Sequence, residues 1–136
     1  MSLDTAPLVY FIGKNPAFHT RLRPFFQALQ QGDFTVVISA ITITEVLVYP
    51  IRHGDAKLAL LYRDILLNAE HMRIIPVTGE IAEMASKLRA SHKILTPDAI
   101  QLATASVMQV DFFLTNNKAL PVLPKPTILV LDNLLD

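Results

Sequence analysis

The sequence predicts an α/β fold: a mostly parallel central sheet flanked by helices, in three layers. Three observations carry that expectation. Short apolar runs of strand length alternate along the chain with longer helical patterns, as strands joined by crossover helices do. The strand candidates are continuous apolar runs, as befits strands covered on both faces. The chain has 136 residues, 51% of them hydrophobic, enough for one domain with a real core. Charges or turn residues interrupt every apolar run well before the length of a membrane span.

The elements follow in order. Leu3 closes a strand remnant of one or two residues, and Asp4-Thr5 with Pro7 marks a helix start. Asn15-Pro16 opens a second helix, expected to run to Gln31 and stop at Gly32. TVVIS (35–39) is a β-branched strand. Thr42 followed by Glu45 has the capping-box pattern for the next helix, which Pro50 kinks or ends. Asp55 to Asn68 is amphipathic, with Leu58, Leu61, Ile65 and Leu66 on one stripe. MRIIPVT (72–78) is a third strand. In the helix from Glu80 to His92, Glu80 and Glu83 come early and Lys87, Arg89 and Lys93 late, which suits the helix dipole. In LTPDAIQLATA (95–105), Thr96 reads as N-cap and Pro97 as the first helical residue. DFFLTN (111–116) and TILVL (127–131) are the last two strands. No repeat, low-complexity tract or linker divides the chain, so residues 1–136 are expected to form one domain.

Composition excludes several chemistries. Twelve basic and twelve acidic residues cancel, so net charge lends no support to a nucleic-acid partner. Without cysteine there are no disulfides, thiolate metal sites or cysteine nucleophiles. The four glycines are scattered and form no phosphate loop, and no serine nucleophile elbow occurs. His19, His53, His71 and His92 are isolated in polar contexts and read as surface residues. Arg21 with Arg23, and Arg52 with Lys57, read as solvated helix faces. The N-terminus lacks the basic and apolar segments of a signal peptide, so a cytoplasmic location is expected.

Sites in open parallel sheets form outside the carboxyl ends of the strands. Four positions fall there. Asp4 follows the first strand, Glu45 and Asp98 are expected in the first turns of helices, and Thr115, Asn116 and Asn117 follow the strand at 111–116. Each has a local explanation. Asp4 would cap a helix, Glu45 would complete a capping box, Asp98 would suit a helix N-terminus, and the asparagines would shape a turn. Together they point further. Three carboxylates brought to one edge repel one another, and a hard divalent cation, Mg²⁺ or Mn²⁺, relieves that repulsion. Carboxylates with one or two such ions are equipped for in-line attack on a phosphodiester.

These residues also resemble a known family, the PIN-domain proteins, and in particular the VapC-type toxins of bacterial toxin–antitoxin pairs. LDTAPLVYFI is similar to the family's opening strand–Asp–helix motif. SAITITEVLVYPIRHGD is similar to the second motif, with Glu45 acidic, and LTPDAIQLATA to the third, with Asp98 acidic. DFFLTNNKAL is similar to the fourth. The resemblance implies a PIN-like three-layer fold and an endoribonuclease dependent on Mg²⁺ or Mn²⁺. In it Asp4, Glu45 and Asp98 are catalytic metal ligands and Thr115 and Asn117 are accessory. It further implies an RNA substrate, a cognate antitoxin and a homodimer. Asn117 stands where the family often has a fourth Asp, and its neutral amide implies a weaker second metal.

Two rivals stand beside that reading. One is a PIN-like binding module that holds RNA or a protein without turnover; the other is a structural α/β domain in which every acid serves as a cap. Metal titration separates the last from the first two, and turnover separates those from each other.

Overall fold

The computed structural model describes residues 1–134; Leu135 and Asp136, the end of the expected domain, lie outside the described residues. The elements are β1 (Ser2–Leu3), α1 (Thr5–Ile12), α2 (His19–Gln30), β2 (Val36–Ser39), α3 (Ile41–Arg52) and α4 (Ala56–Asn68). They continue with β3 (Met72–Ile75), α5 (Gly79–Ser91), α6 (Thr96–Val107), β4 (Phe112–Thr115), β5 (Thr127–Val130) and α7 (Leu131–Leu134). The strands form one sheet in the order β3-β2-β1-β4-β5. Every pairing is parallel. None of the described helices is long and apolar enough to cross a membrane.

The two faces of the sheet are read directly from strand alternation. Val36, Ile38 and Leu114 point into one core with Leu8, Leu22, Val46, Tyr62 and Leu66 from α1 to α4. Val37 points the other way, to Ile81 and Ala85 of α5 and Ala99 and Ala103 of α6. Phe113 meets Leu102 and Ala105 on that second face. The small residues of α6 therefore let it pack close to the sheet. Ala103 is fully buried, so Ala103→Leu should force overpacking and destabilise the fold by about 1–3 kcal/mol. Chemical denaturation would measure this as a lower midpoint at unchanged slope.

Local signals succeed where a side chain can reach its own helix. Asp55 Oδ1 accepts the Leu58 N–H at 3.0 Å, and Thr78 Oγ1 accepts the Ile81 N–H at 3.2 Å. Gly32, at φ +82°, ends α2 in the left-handed region that favours glycine. Pro50, read as kinking or ending α3, lies two residues before its last residue, Arg52. Three expectations need correction. Asn15-Pro16 does not open α2: Asn15 Oδ1 accepts the Ala17 N–H at 2.8 Å, making a turn, and the helix begins at His19. Leu95, not Thr96, occupies the N-cap of α6, because the Thr96 hydroxyl instead accepts from Arg89 Nη1 at 2.8 Å. On α4 the buried residues are Tyr62 and Leu66, whereas Leu61 and Ile65 are 50% and 37% exposed.

Candidate active site

The winding of the chain reverses beside β1. From β1 it moves outward through β2 to β3, then crosses back to β4 and β5 on the other side. Such a reversal opens a crevice at the carboxyl ends of the strands on either side of it. Asp4 sits there, directly after β1, and its N–H donates to Leu114 O of β4 at 2.9 Å.

Asp4 caps a helix, as expected, and also bonds across the sheet. It is the N-cap of α1, with Oδ1 accepting the Thr5 N–H at 2.7 Å. Its Oδ2 accepts the Thr115 hydroxyl at 2.7 Å, across the β1–β4 boundary. Nearly all of the residue is buried, so both oxygens are held in place.

Glu45 does not form the capping box. Helix α3 begins at Ile41 with Ala40 at the cap position, which puts Glu45 beyond the first turn and Thr42 inside the helix, its buried hydroxyl without a partner among the described residues. Ser39 Oγ serves the helix start instead, accepting the Ile41 N–H at 3.2 Å. Glu45 turns to the crevice, where Oε1 accepts from the Thr5 hydroxyl at 2.8 Å and from Gln101 Nε2 at 2.5 Å. Hydrogen bonds to an ionised acceptor are stronger than a neutral cap, and tertiary packing makes them available.

Asp98, in the first turn of α6, completes the group. The hydrogen bonds of the crevice secure Asp4 and Glu45 and leave Asp98 out. Its pKa is raised above the ordinary aspartate value, first by burial and then by the negative charges of Asp4 and Glu45. A helix N-terminus alone would act in the opposite direction. The three carboxylates therefore share one electrostatic environment, contributed by α1, α3 and α6.

The residues after β4 are tied into the turn. Asn117 Oδ1 accepts the Ala119 N–H at 2.9 Å, and the Asn117 N–H donates to Thr115 Oγ1 at 3.0 Å. Thr115 thus touches Asp4 directly, and Asn117 acts on it through the backbone. Asp111 lies at the opening end of β4, away from the crevice, paired with Lys125 at 3.2 Å.

Reading the sequence missed Thr5 and Gln101 as participants. A polar residue three positions after Asp98 on an otherwise small-residue helix was the available signal for Gln101, since i and i+3 share a face.

The donors gathered here are carboxylates, with hydroxyls and an amide around them. That set suits a hard cation and lacks the nitrogen or sulfur ligands usual for zinc. Among the described residues no three His, Cys, Asp or Glu side chains close into a ready-made metal cage. Mg²⁺ commonly keeps several waters and so takes few protein ligands.

Fold and site together define a class: parallel α/β proteins with a carboxylate-lined crevice at the switch point of the sheet. The chain belongs to the PIN domain family, whose model matches residues 1–126. Its fold is similar to that of solved toxin–antitoxin proteins. A chain of a toxin–antitoxin complex from Klebsiella pneumoniae is 26% identical, with a TM-score of 0.66 and 95% of each chain covered. A chain of VapBC2 from Rickettsia felis, solved bound to a DNA fragment from its promoter, is 21% identical at a TM-score of 0.69, covering 95% of this chain and 96% of that one. The Mycobacterium tuberculosis toxin VapC20, described as cleaving the sarcin–ricin loop, is 19% identical at a TM-score of 0.64, covering 82% of this chain and 85% of that one. No curated protein matches the chain in sequence.

Proposed function

We propose that this protein is a metal-dependent endoribonuclease, the toxin of a toxin–antitoxin pair. The observation that carries the reading is Asp98, a carboxylate with a raised pKa beside two others that the protein anchors by hydrogen bonds. A stability-optimised fold has no use for that crowding, whereas a cation-binding site does. Asp4, Glu45 and Asp98 would hold Mg²⁺ or Mn²⁺, directly or through water. When bound, the metal would act as a Lewis acid toward the phosphodiester and neutralise its developing charge. The chain itself supplies orientation. Thr115 and the Thr5 amide fix the two oxygens of Asp4, the Thr5 hydroxyl fixes Glu45, and the turn at Asn117 fixes Thr115. With RNA as substrate, the cytoplasm is the place of action.

The partner reading has a physical counterpart away from the crevice. A groove of about 660 Å³ is lined by Phe11, Phe26, Leu61, Ile65 and Met72 with Lys14 and Glu70. It suits the apolar face of an antitoxin helix, and it accounts for the exposed part of the α4 stripe. Homodimerisation belongs to the same proposal.

Cleavage of a defined RNA panel with Mg²⁺, Mn²⁺ or EDTA tests the activity. Metal-dependent cuts that EDTA abolishes support it. Metal binding without any cleavage would favour the binding-module alternative, which the neutral Asn117 and the zero net charge make the second reading. Asn117→Asp keeps a turn acceptor and adds a fourth negative charge near the site. It should lower the Mg²⁺ concentration for half-maximal cleavage by favouring a second ion. Superimposable Mg²⁺ curves would reduce Asn117 to a turn residue.

A further inference from the structure

Gln101 is an unexpected residue for its place. It is 2% exposed, and around it on α6 Ala99, Leu102, Ala103 and Ala105 are completely buried. Its Nε2 donates to Glu45 Oε1 at 2.5 Å and to Thr5 Oγ1 at 3.1 Å. The Thr5 hydroxyl donates to the same Glu45 oxygen at 2.8 Å. The three side chains thus close a ring joining α1, α3 and α6. Gln101 Oε1, meanwhile, is buried and has no hydrogen-bond partner among the described residues.

The amide orientation follows from the carboxylate. Turned over, Gln101 would set a carbonyl oxygen against a carboxylate oxygen, two acceptors at hydrogen-bond distance. Facing Glu45 with Nε2 avoids that clash and leaves Oε1 unpaired, at a cost in stability. Leucine or methionine would fill the same core position without that cost. The amide is therefore explained by what it does to Glu45. Both donors converge on Oε1, so the second carboxylate oxygen of Glu45 is left for a ligand.

We infer that Gln101 is a positioning residue, which locks the Glu45 side chain through Oε1 and so presents its other oxygen to the cation. The identity of that ligand rests on the ribonuclease reading above. Partners that orient a metal ligand commonly change metal affinity by 10–100-fold when removed.

The test is a double-mutant cycle on the full chain, read by Mn²⁺ calorimetry, thermal unfolding and RNA cleavage. Gln101→Met should weaken Mn²⁺ binding about tenfold and lower kcat, with KM for RNA close to wild type. In a Glu45→Gln background the same substitution should change Mn²⁺ affinity less than about twofold, because Gln101 acts through Glu45. A helix clamp behaves otherwise: thermal stability falls equally in both backgrounds and Mn²⁺ affinity is unchanged. That result would overturn the inference. Gln101→Leu repeats the cycle should the methionine variant fold poorly, and loss of fold in both marks a structural residue and also overturns it. Wild-type protein that binds Mn²⁺ and obeys the cycle but cuts no RNA sinks the ribonuclease reading while Gln101 keeps its role. Wild-type protein that binds no Mn²⁺ overturns both.

Discussion

Asp98→Asn is expected to abolish RNA cleavage while the fold stays at least as stable as wild type at neutral pH. Among the described residues the hydrogen bonds of the crevice go to Asp4 and Glu45 and not to Asp98, so its removal breaks none of them. Its raised pKa gives the sign of the stability change. The native state binds this proton more tightly than the unfolded chain. The stability it contributes is therefore present at low pH and is lost as pH rises from the ordinary aspartate range through the raised value. Near neutrality ionised Asp98 sits against Asp4 and Glu45 at a cost, which asparagine removes. The comparison is thermal unfolding with and without Mg²⁺, alongside cleavage. Wild type should gain more than the variant from added Mg²⁺. Wild-type turnover by Asp98→Asn in excess Mg²⁺ would end the assignment.

Asp4→Ala should lose activity and stability together. The substitution removes the cap of α1, worth about 1 kcal/mol. It also leaves the buried Thr115 O–H without its acceptor, although Thr115 Oγ1 still accepts the Asn117 N–H, and a buried donor left unsatisfied costs about 1–3 kcal/mol. A total of about 2–4 kcal/mol is expected from urea unfolding. Asp4→Asn separates the two roles, because an amide oxygen can still accept the Thr5 N–H but brings no negative charge. It should keep most of the stability and still lose cleavage. An Asp4→Asn protein as active as wild type would show that Asp4 is a cap and nothing more.

The contrast between Asp4 and Glu45 shows how far a local pattern reaches. Both residues have a helix-capping explanation in the sequence. At Asp4 the cap is real, because its side chain sits one residue from the amide it serves. At Glu45 the box fails, because α3 starts earlier and the hydroxyl of Thr5, forty positions away in the chain, offers a better donor. The stripe on α4 failed similarly. Periodicity groups Leu58, Leu61, Ile65 and Leu66, but only packing separates residues facing the core from those lining a groove.

The sequence by itself determined the alternation of strands and helices, the parallel character of the sheet, the ends of α4 and α5, and the placing of Asp4 after a strand and Asp98 in a first helical turn. Each depends on residues within a turn or two of one another, where spacing and side-chain reach suffice. Tertiary structure alone decided the strand order, the raised pKa of Asp98, and the ring of Thr5, Glu45 and Gln101. The physical reason is that these depend on which segments meet. The donors of that ring lie 40 and 56 positions from Glu45 in the chain, and no local spacing encodes a contact that exists only after three helices have packed onto one sheet.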